Sequence, residues 1–286
     1  MRATIVYYSQ SGNTEKVAYE LADQLQRAGY DVTPLLYEDV AEFPEALDDI
    51  GLLGVGYPTF FGYPPSFIIE MIDGMKKVKG TKAFVFTTYG GHTAGDSLYD
   101  AAVALAKKGY TIVGGLKIEA ADNYPQGVAL KLNYGRPDEA DMKVTREFAG
   151  RMLEAVKSGR TMSPEKLTSP TEFFVKNRDK PRAEVLKGLH DAVSGKIIFE
   201  QSQCLFCESC KKCCPTKSIK TGEGFPEFTW KCIGGDMRCY QCIRVCPGKA
   251  LSAEFPGSLE DYLKFWEALA DSPDEKRRAC IVPGAQ

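Results

Sequence analysis

Eight of the ten cysteines in this 286-residue chain fall into two arrays near the C-terminus, each closed by a Cys-Pro step. Cys204, Cys207, Cys210 and Cys214 are spaced C-x2-C-x2-C-x3-C and precede Pro215. Cys232, Cys239, Cys242 and Cys246 are spaced C-x6-C-x2-C-x3-C and precede Pro247. Structural zinc takes four thiolates or imidazoles, whereas this segment offers eight sulfurs in repeated order. Disulfides belong to small exported domains, and the N-terminus passes straight into a strand pattern without the form of a signal peptide. A double array of this spacing therefore points to two [4Fe-4S] clusters, in which each iron takes one thiolate on its own corner.

The segment resembles the bacterial two-cluster ferredoxins. That resemblance implies crossed ligation, because the fourth cysteine of such a run serves the other cluster. One cluster would take Cys204, Cys207, Cys210 and Cys246; the other would take Cys232, Cys239, Cys242 and Cys214. Thr216–Ile219 and Gly248–Leu251 read as two copies of one repeat. The six-residue gap before Cys239 departs from the family spacing and makes Cys232 the least typical ligand. Cys213 competes with Cys214 by position, and the Cys-Pro step favours Cys214. Cys280 stands alone in the tail as a bystander.

The chain opens with an apolar strand pattern, Ala3–Tyr8, then Ser9-Gln10-Ser11-Gly12-Asn13-Thr14, then Val17, Ala18, Leu21 and Leu25 at helical spacing. A strand, a hydroxyl-rich loop and a helix N-terminus make an anion site. No Walker lysine is present, so a phosphate monoester fits better than a nucleoside triphosphate. Val6 to Leu21 resembles the N-terminal signature of the flavodoxins at Tyr7, Ser9, Gly12, Thr14, Ala18 and Leu21. The resemblance implies that Ser9, Ser11, Gly12, Asn13 and Thr14 hold the phosphate of FMN.

Further strand patterns lie at Asp31–Leu36, Gly51–Tyr57, Ala83–Thr88 and Thr111–Ile118, with helical patterns at Pro65–Met75, Asp96–Lys107 and Pro137–Val156. This alternation predicts an α/β domain with a doubly wound parallel sheet. The flavodoxin resemblance implies five strands in the order 2-1-3-4-5, with the ligand at the carboxyl ends of the strands. Two loops fall there. Pro58, Thr59, Phe60, Phe61 and Gly62 follow the third strand; Thr88, Tyr89, Gly90 and Gly91 follow the fourth. Aromatic rings suit a flat isoalloxazine face and glycines let backbone amides reach its polar edge. Phe60, Phe61 and Tyr89 are the stacking candidates. The segment Asp122–Tyr134, with Tyr124 and Tyr134, reads as a lid or a surface loop.

These patterns divide the chain into residues 1–157, a flavodoxin-like domain; 158–200, a polar connector with a short helix at Arg182–Val193; 201–252, a small α+β ferredoxin-like two-cluster domain; and 253–286, a helix and tail. The tail helix, about Ser258–Ala270, suits packing against a neighbouring domain or a homodimer contact. No apolar run reaches the eighteen residues a membrane span needs. A cytoplasmic, reducing, anaerobic setting is expected from the cysteine usage. His92 and His190, the two histidines, receive no role.

Residues 1–157 hold 16 basic against 21 acidic residues, whereas residues 201–252 hold eight basic (Lys211, Lys212, Lys217, Lys220, Lys231, Arg238, Arg244 and Lys249) against four acidic. The basic residues are interleaved with the cysteines and no nucleic-acid recognition motif accompanies them, so nucleic acid is not expected as a partner. They suit docking against an acidic surface, that of a redox protein or of the first domain (Glu38, Asp39, Glu42, Glu45, Asp48 and Asp49).

The chain as a whole resembles flavodoxin–ferredoxin fusion proteins, the two signatures together covering roughly 200 residues. The resemblance implies electron transfer between two [4Fe-4S] clusters and FMN on behalf of a redox protein partner, which donates or accepts electrons. The alternative is an FMN-dependent reductase of a quinone or other small organic molecule, fed by its own ferredoxin domain. No G-x-G-x-x-G dinucleotide site is present.

Overall fold

The computed structural model describes residues 1–222, 224–229, 232 and 239–284. Lys231 and Arg238, two of the basic residues counted above, lie outside the described residues. The chain forms two compact units: residues 1–123, 131–178 and 269–286 make the first, and residues 124–130 and 179–268 make the second.

The first unit is built on β1 (Arg2–Tyr7), α1 (Asn13–Arg27), β2 (Asp31–Leu36), β3 (Leu52–Pro58), α2 (Ser66–Gly74), β4 (Lys82–Tyr89), α3 (Ser97–Lys107) and β5 (Thr111–Glu119). These five strands are parallel, as the sequence pattern predicts, and run in the order 2-1-3-4-5 that the flavodoxin resemblance implies. Both faces are covered. A Cβ on Gly114 would meet Phe148 of the long helix Glu139–Lys157, whereas one on Gly115 would meet Leu98 of α3. Gly54 and Gly56 of β3 leave room for the rings of Phe84 and Phe86. Val17, Ala18, Leu21 and Leu25 of α1 are fully buried against that layer, as their helical spacing requires.

The sheet has a sixth strand that the five-stranded expectation lacks. Cys280–Ile281 pairs antiparallel with Leu116 and Gly115 of β5. It covers what would otherwise be an open sheet edge, a row of unpaired N–H and C=O groups. A two-residue strand has no periodicity, so nothing local in the sequence marks it.

The polar stretch after the Glu139–Lys157 helix is ordered over the first unit as far as Arg178. It carries the short helix Glu172–Asn177, whose Phe174 ring is fully buried.

In the second unit the helix Arg182–Val193 precedes an antiparallel pair, Lys196–Phe199 with Leu251–Glu254. A second short pair joins Ile219–Lys220 to Glu227–Phe228. Ile197, Cys210, Ile219, Tyr240 and Leu251 form its small core.

Residues 207–217 and 239–249, which hold the C-x2-C-x3-C parts of the two arrays, fold as structural copies. Each carries a one-turn helix, Ser209–Lys212 and Gln241–Arg244, entered through a left-handed residue, Glu208 (φ 57) and Tyr240 (φ 50). After each Cys-Pro step comes a second left-handed residue, Lys217 (φ 50) and Lys249 (φ 53), whose N–H donates to Cys214 O and Cys246 O respectively, both at 3.2 Å. The repeat seen in the sequence is thus a repeat of backbone conformation.

No helix among the described residues is long and apolar enough to cross a membrane.

Candidate functional sites

In the first unit the loop after β1 sits at the sheet's switch point, where β1 lies between β2 and β3. Gly12 is left-handed (φ 84) and opens α1 with no side-chain cap, so the first N–H groups of the helix face the loop. The Ser9 hydroxyl is buried without a hydrogen-bond partner. A buried polar atom of this kind is costly unless something occupies the loop. The Thr14 and Thr88 hydroxyls lie 2.8 Å apart, both buried. Asn13 Nδ2 donates to Ala121 O at 3.3 Å, and Asn123 Nδ2 donates to Ser11 Oγ at 2.6 Å. Side chains of the first loop therefore bind the ends of β4 and β5.

The β3 loop is fixed by a tight turn. Phe60 and Tyr63 exchange two backbone hydrogen bonds of 2.9 Å, and the central residues Phe61 (φ 52) and Gly62 (φ 82) are left-handed. Two positive φ values make this a type I′ turn. The Thr59 N–H donates to Thr88 O at 2.8 Å, and the Thr59 and Thr87 hydroxyls are 2.7 Å apart, tying this loop to β4. Among the stacking candidates, Phe61 and Tyr89 are buried and Phe60 is half-buried. Pro58 closes β3.

Tyr89 OH donates to Glu119 Oε1 at 3.4 Å, and burial raises its phenol well above the ordinary range, with Glu119 adding to the effect. It stays a neutral donor at every working pH. Gly90 and Gly91 lie where a Cβ would strike Asp122 and Asn133.

Sequence reasoning missed the residues that hold this loop from outside. Asp271 Oδ1 accepts from Thr93 at 2.7 Å and from Thr171 at 3.1 Å, and its N–H donates to His92 O. Lys117, 4% exposed, donates to Glu275 Oε1 at 2.7 Å and reaches Asp271 Oδ2 at 3.4 Å. Lys276 Nζ donates to Gly91 O. Buried Asp96 takes two hydrogen bonds from Arg178 and one from Ser169 N. Phe174 packs on the β3 turn, its ring 5.6 Å from that of Tyr63. No local signal marks these partners, which are distant in sequence.

The second unit contains two cavities lined by cysteines. One is lined by Cys204, Cys207, Cys210 and Cys246. The other is lined by Cys214, Cys232, Cys239 and Cys242. Each takes three cysteines from one array and the last cysteine of the other. The second has Ile197, Pro215, Ile219 and Tyr240 in its wall, beside Thr216 and Gln241. Burial pushes the Cys239 thiol up to about 12 and raises Cys242 further still. Cys207, at the exposed rim, is lowered, chiefly by hydrogen bonds from Ser209 and also by the charge of Lys212. Cys214 Sγ accepts from Ser218 N at 3.3 Å. Cys213 points elsewhere, its thiol donating to Cys210 O at 3.3 Å, with burial lifting it to about 12. Among the described residues no group of three or more His, Cys, Asp or Glu is placed to hold a metal ion.

The segment Asp122–Tyr134 does not stay together. Tyr124 is packed in the second unit, its ring 5.0 Å from Tyr240 and 5.9 Å from Tyr262, with its OH 3.1 Å from Ser194 Oγ. Tyr134 is 84% exposed.

No curated protein matches the chain. Among solved structures, a flavodoxin from the domain Archaea is 21% identical, with 55% of this chain and 99% of that one covered and a TM-score of 0.43. Flavodoxin 2 from Bacillus cereus is 25% identical over 54% of this chain and 99% of its own, with a TM-score of 0.40. Rubredoxin oxygen:oxidoreductase from Desulfovibrio gigas is 19% identical over 55% of this chain and 36% of its own, with a TM-score of 0.42. The family model for flavodoxin matches residues 5–129, and with the sheet order 2-1-3-4-5 it shows that the N-terminal part of this chain is a flavodoxin-like domain, a family that implies FMN.

Proposed function

We propose that the chain is an electron-transfer protein that carries FMN in its first unit and two [4Fe-4S] clusters in its second, and exchanges electrons with a redox protein partner. The observation that carries the reading is the lining of the two cavities: four cysteines each, sorted across the arrays. A single ion draws its thiolates to about 2.3 Å, whereas a cubane keeps each at a separate corner of a larger body. Cysteines that line a cavity without converging on a point suit the second case. Crossed ligation follows from the same sorting, with Cys214 serving the set of Cys232, Cys239 and Cys242, and Cys246 serving the set of Cys204, Cys207 and Cys210.

In the first unit, the orphaned Ser9 hydroxyl and the uncapped start of α1 suit a phosphate held by Ser9, Ser11, Gly12, Asn13 and Thr14. Phe61 and Tyr89, with the backbone of Thr59, Gly62, Gly90 and Gly91, would border the flavin ring. When bound, flavin accepts electrons singly or in pairs, which lets a one-electron carrier serve two-electron chemistry. This chain's own contribution is to orient that ring and limit its access to water.

The reductase alternative needs a substrate wall, for which Asp122–Tyr134 was the candidate. Tyr124 is engaged by Tyr240 and Tyr262 and Tyr134 faces solvent, so the carrier reading is the better supported. An anaerobic stepwise reduction followed by EPR and visible absorbance tests it. Two reduced cubane signals together with flavin bleaching are expected. A reconstituted protein that lacks either set, or that turns over quinone without a protein partner, rejects it.

A further inference from the structure

Resting on the electron-carrier reading, we propose that the rim of the Cys207 cavity is the docking face for an acidic one-electron carrier protein. Leu205 and Phe206 are 64% and 57% exposed, and Phe225 is 38% exposed. The Phe206 and Phe225 rings stack 4.9 Å apart with 30° between their planes. Leu205 and Phe206 line the cavity that Cys207 lines, Phe225 lies between its lining residues Gly224 and Pro226, and Cys207 is itself exposed.

Phe206 is held left-handed at φ 53, a conformation that bulky residues rarely adopt. The fold thus keeps an aromatic ring in solvent at a backbone cost. Exposed apolar groups gathered beside a reactive site mark a contact surface.

The cations around the patch set the partner's charge. Lys212 ends the one-turn helix Ser209–Lys212 that begins just after Cys207, and Lys249 follows Gly248, which packs against Leu205. Both lysines are exposed and form no ion pair among the described residues. An apolar centre whose rim carries Lys211, Lys212 and Lys249 beside Glu208, and so an excess of positive charge, matches a protein that offers carboxylates around an apolar patch. In such a complex one electron would leave the reduced partner, oxidising it by one unit, and pass to the group that Cys204, Cys207, Cys210 and Cys246 would hold, with no bond or proton moved.

The test uses the full chain loaded with both cofactors and, as probe, an acidic plant-type [2Fe-2S] ferredoxin. Binding of the oxidised proteins is measured by calorimetry, and reduction by the pre-reduced probe is followed by stopped flow. Wild-type affinity and rate should both fall steeply with added salt. Lys212→Glu with Lys249→Glu should lower both by about tenfold or more at low ionic strength. Phe206→Ser should weaken binding with its salt dependence unchanged. Iron content and reduction by methyl viologen radical should stay at wild-type levels in every variant.

Unchanged affinity in the double charge variant overturns the proposal, as does equal or tighter binding of basic cytochrome c. Should Glu at these positions cost iron, Lys212→Gln with Lys249→Gln is the deciding pair. Failure of methyl viologen to reduce the wild-type clusters would instead reject the electron-carrier reading, and the calorimetric result would still judge the surface.

Discussion

The Thr14 hydroxyl, at the start of α1, lies 2.8 Å from the Thr88 hydroxyl at the end of β4, both side chains being buried. On the proposed FMN reading, Thr14→Val removes a phosphate donor, and it strands the Thr88 hydroxyl. Hydrogen bonds to charged groups contribute about 1.5–3 kcal/mol, so FMN affinity should drop by roughly tenfold to a hundredfold. Fluorescence titration of the apoprotein with FMN measures this, and iron content should stay constant. Equal loss of both cofactors would refute two independent sites.

Gly62→Ala tests the β3 turn. Its Cβ would fall 2.4 Å from the Phe174 ring at a backbone φ of 82. The left-handed conformation alone costs about 1–2 kcal/mol for a residue with a Cβ, and the clash adds to it. Adding Phe174→Ala removes the clash, leaves the φ strain, and opens a core cavity instead. Urea unfolding of the three variants should therefore show no recovery to wild-type stability in the double variant; full recovery would mean that the turn is not strained.

Lys117→Met leaves Asp271 and Glu275 buried beside each other without their shared cation. Breaking a buried pair from one side costs about 3–5 kcal/mol. The urea midpoint of the first unit should fall, and amide exchange should speed up first in Leu269–Ile281. Loss of stability without faster exchange there would place the damage elsewhere.

On the proposed reading, Cys214→Ala should remove the cluster signal associated with Cys232, Cys239 and Cys242 and spare the other, although Cys214 is only four positions from Cys210 in sequence. EPR and iron analysis decide it. Retention of that signal with loss of the first refutes the crossed arrangement.

Cys280 donates to Val144 O at 3.4 Å, and burial pushes its thiol up to about 11. At pH 8 it remains protonated, so alkylation by iodoacetamide should be slow in the folded protein and fast in urea, as read by mass spectrometry. The folded state holds this proton more tightly than the unfolded chain does. Its contribution to stability is therefore complete below the ordinary thiol range near pH 9 and is lost as pH rises through about 11.

The parts of this molecule visible in its sequence are those with a period or a fixed spacing. The helical spacing of Val17, Ala18, Leu21 and Leu25 placed α1 and gave the buried face of the helix correctly. The spacing Cys207 to Cys214, repeated from Cys239 to Cys246, marked a structural repeat that the backbone reproduces. What stayed hidden depends on single contacts between distant positions. Asp271 meets Thr93 and Thr171 across 178 and 100 residues, and no pattern around it announces this. Tyr124 looked like a neighbour of the flavin loops because it follows β5, yet its ring lies with Tyr240 and Tyr262. Asn123, one residue earlier, does bind the first loop through Ser11.

Because Leu269–Ile281 returns to the first unit, the second unit is an insertion and not an appended bead. A fragment ending at Lys157 would keep every strand from β1 to β5 yet lose the carboxylates around Lys117 and the strand that covers β5. On the ribosome, that edge must wait for the whole inserted unit to be made. A chain stalled before Asp271 would expose both an unpaired strand edge and an unneutralised buried lysine, which makes such incomplete products natural targets for aggregation or proteolysis.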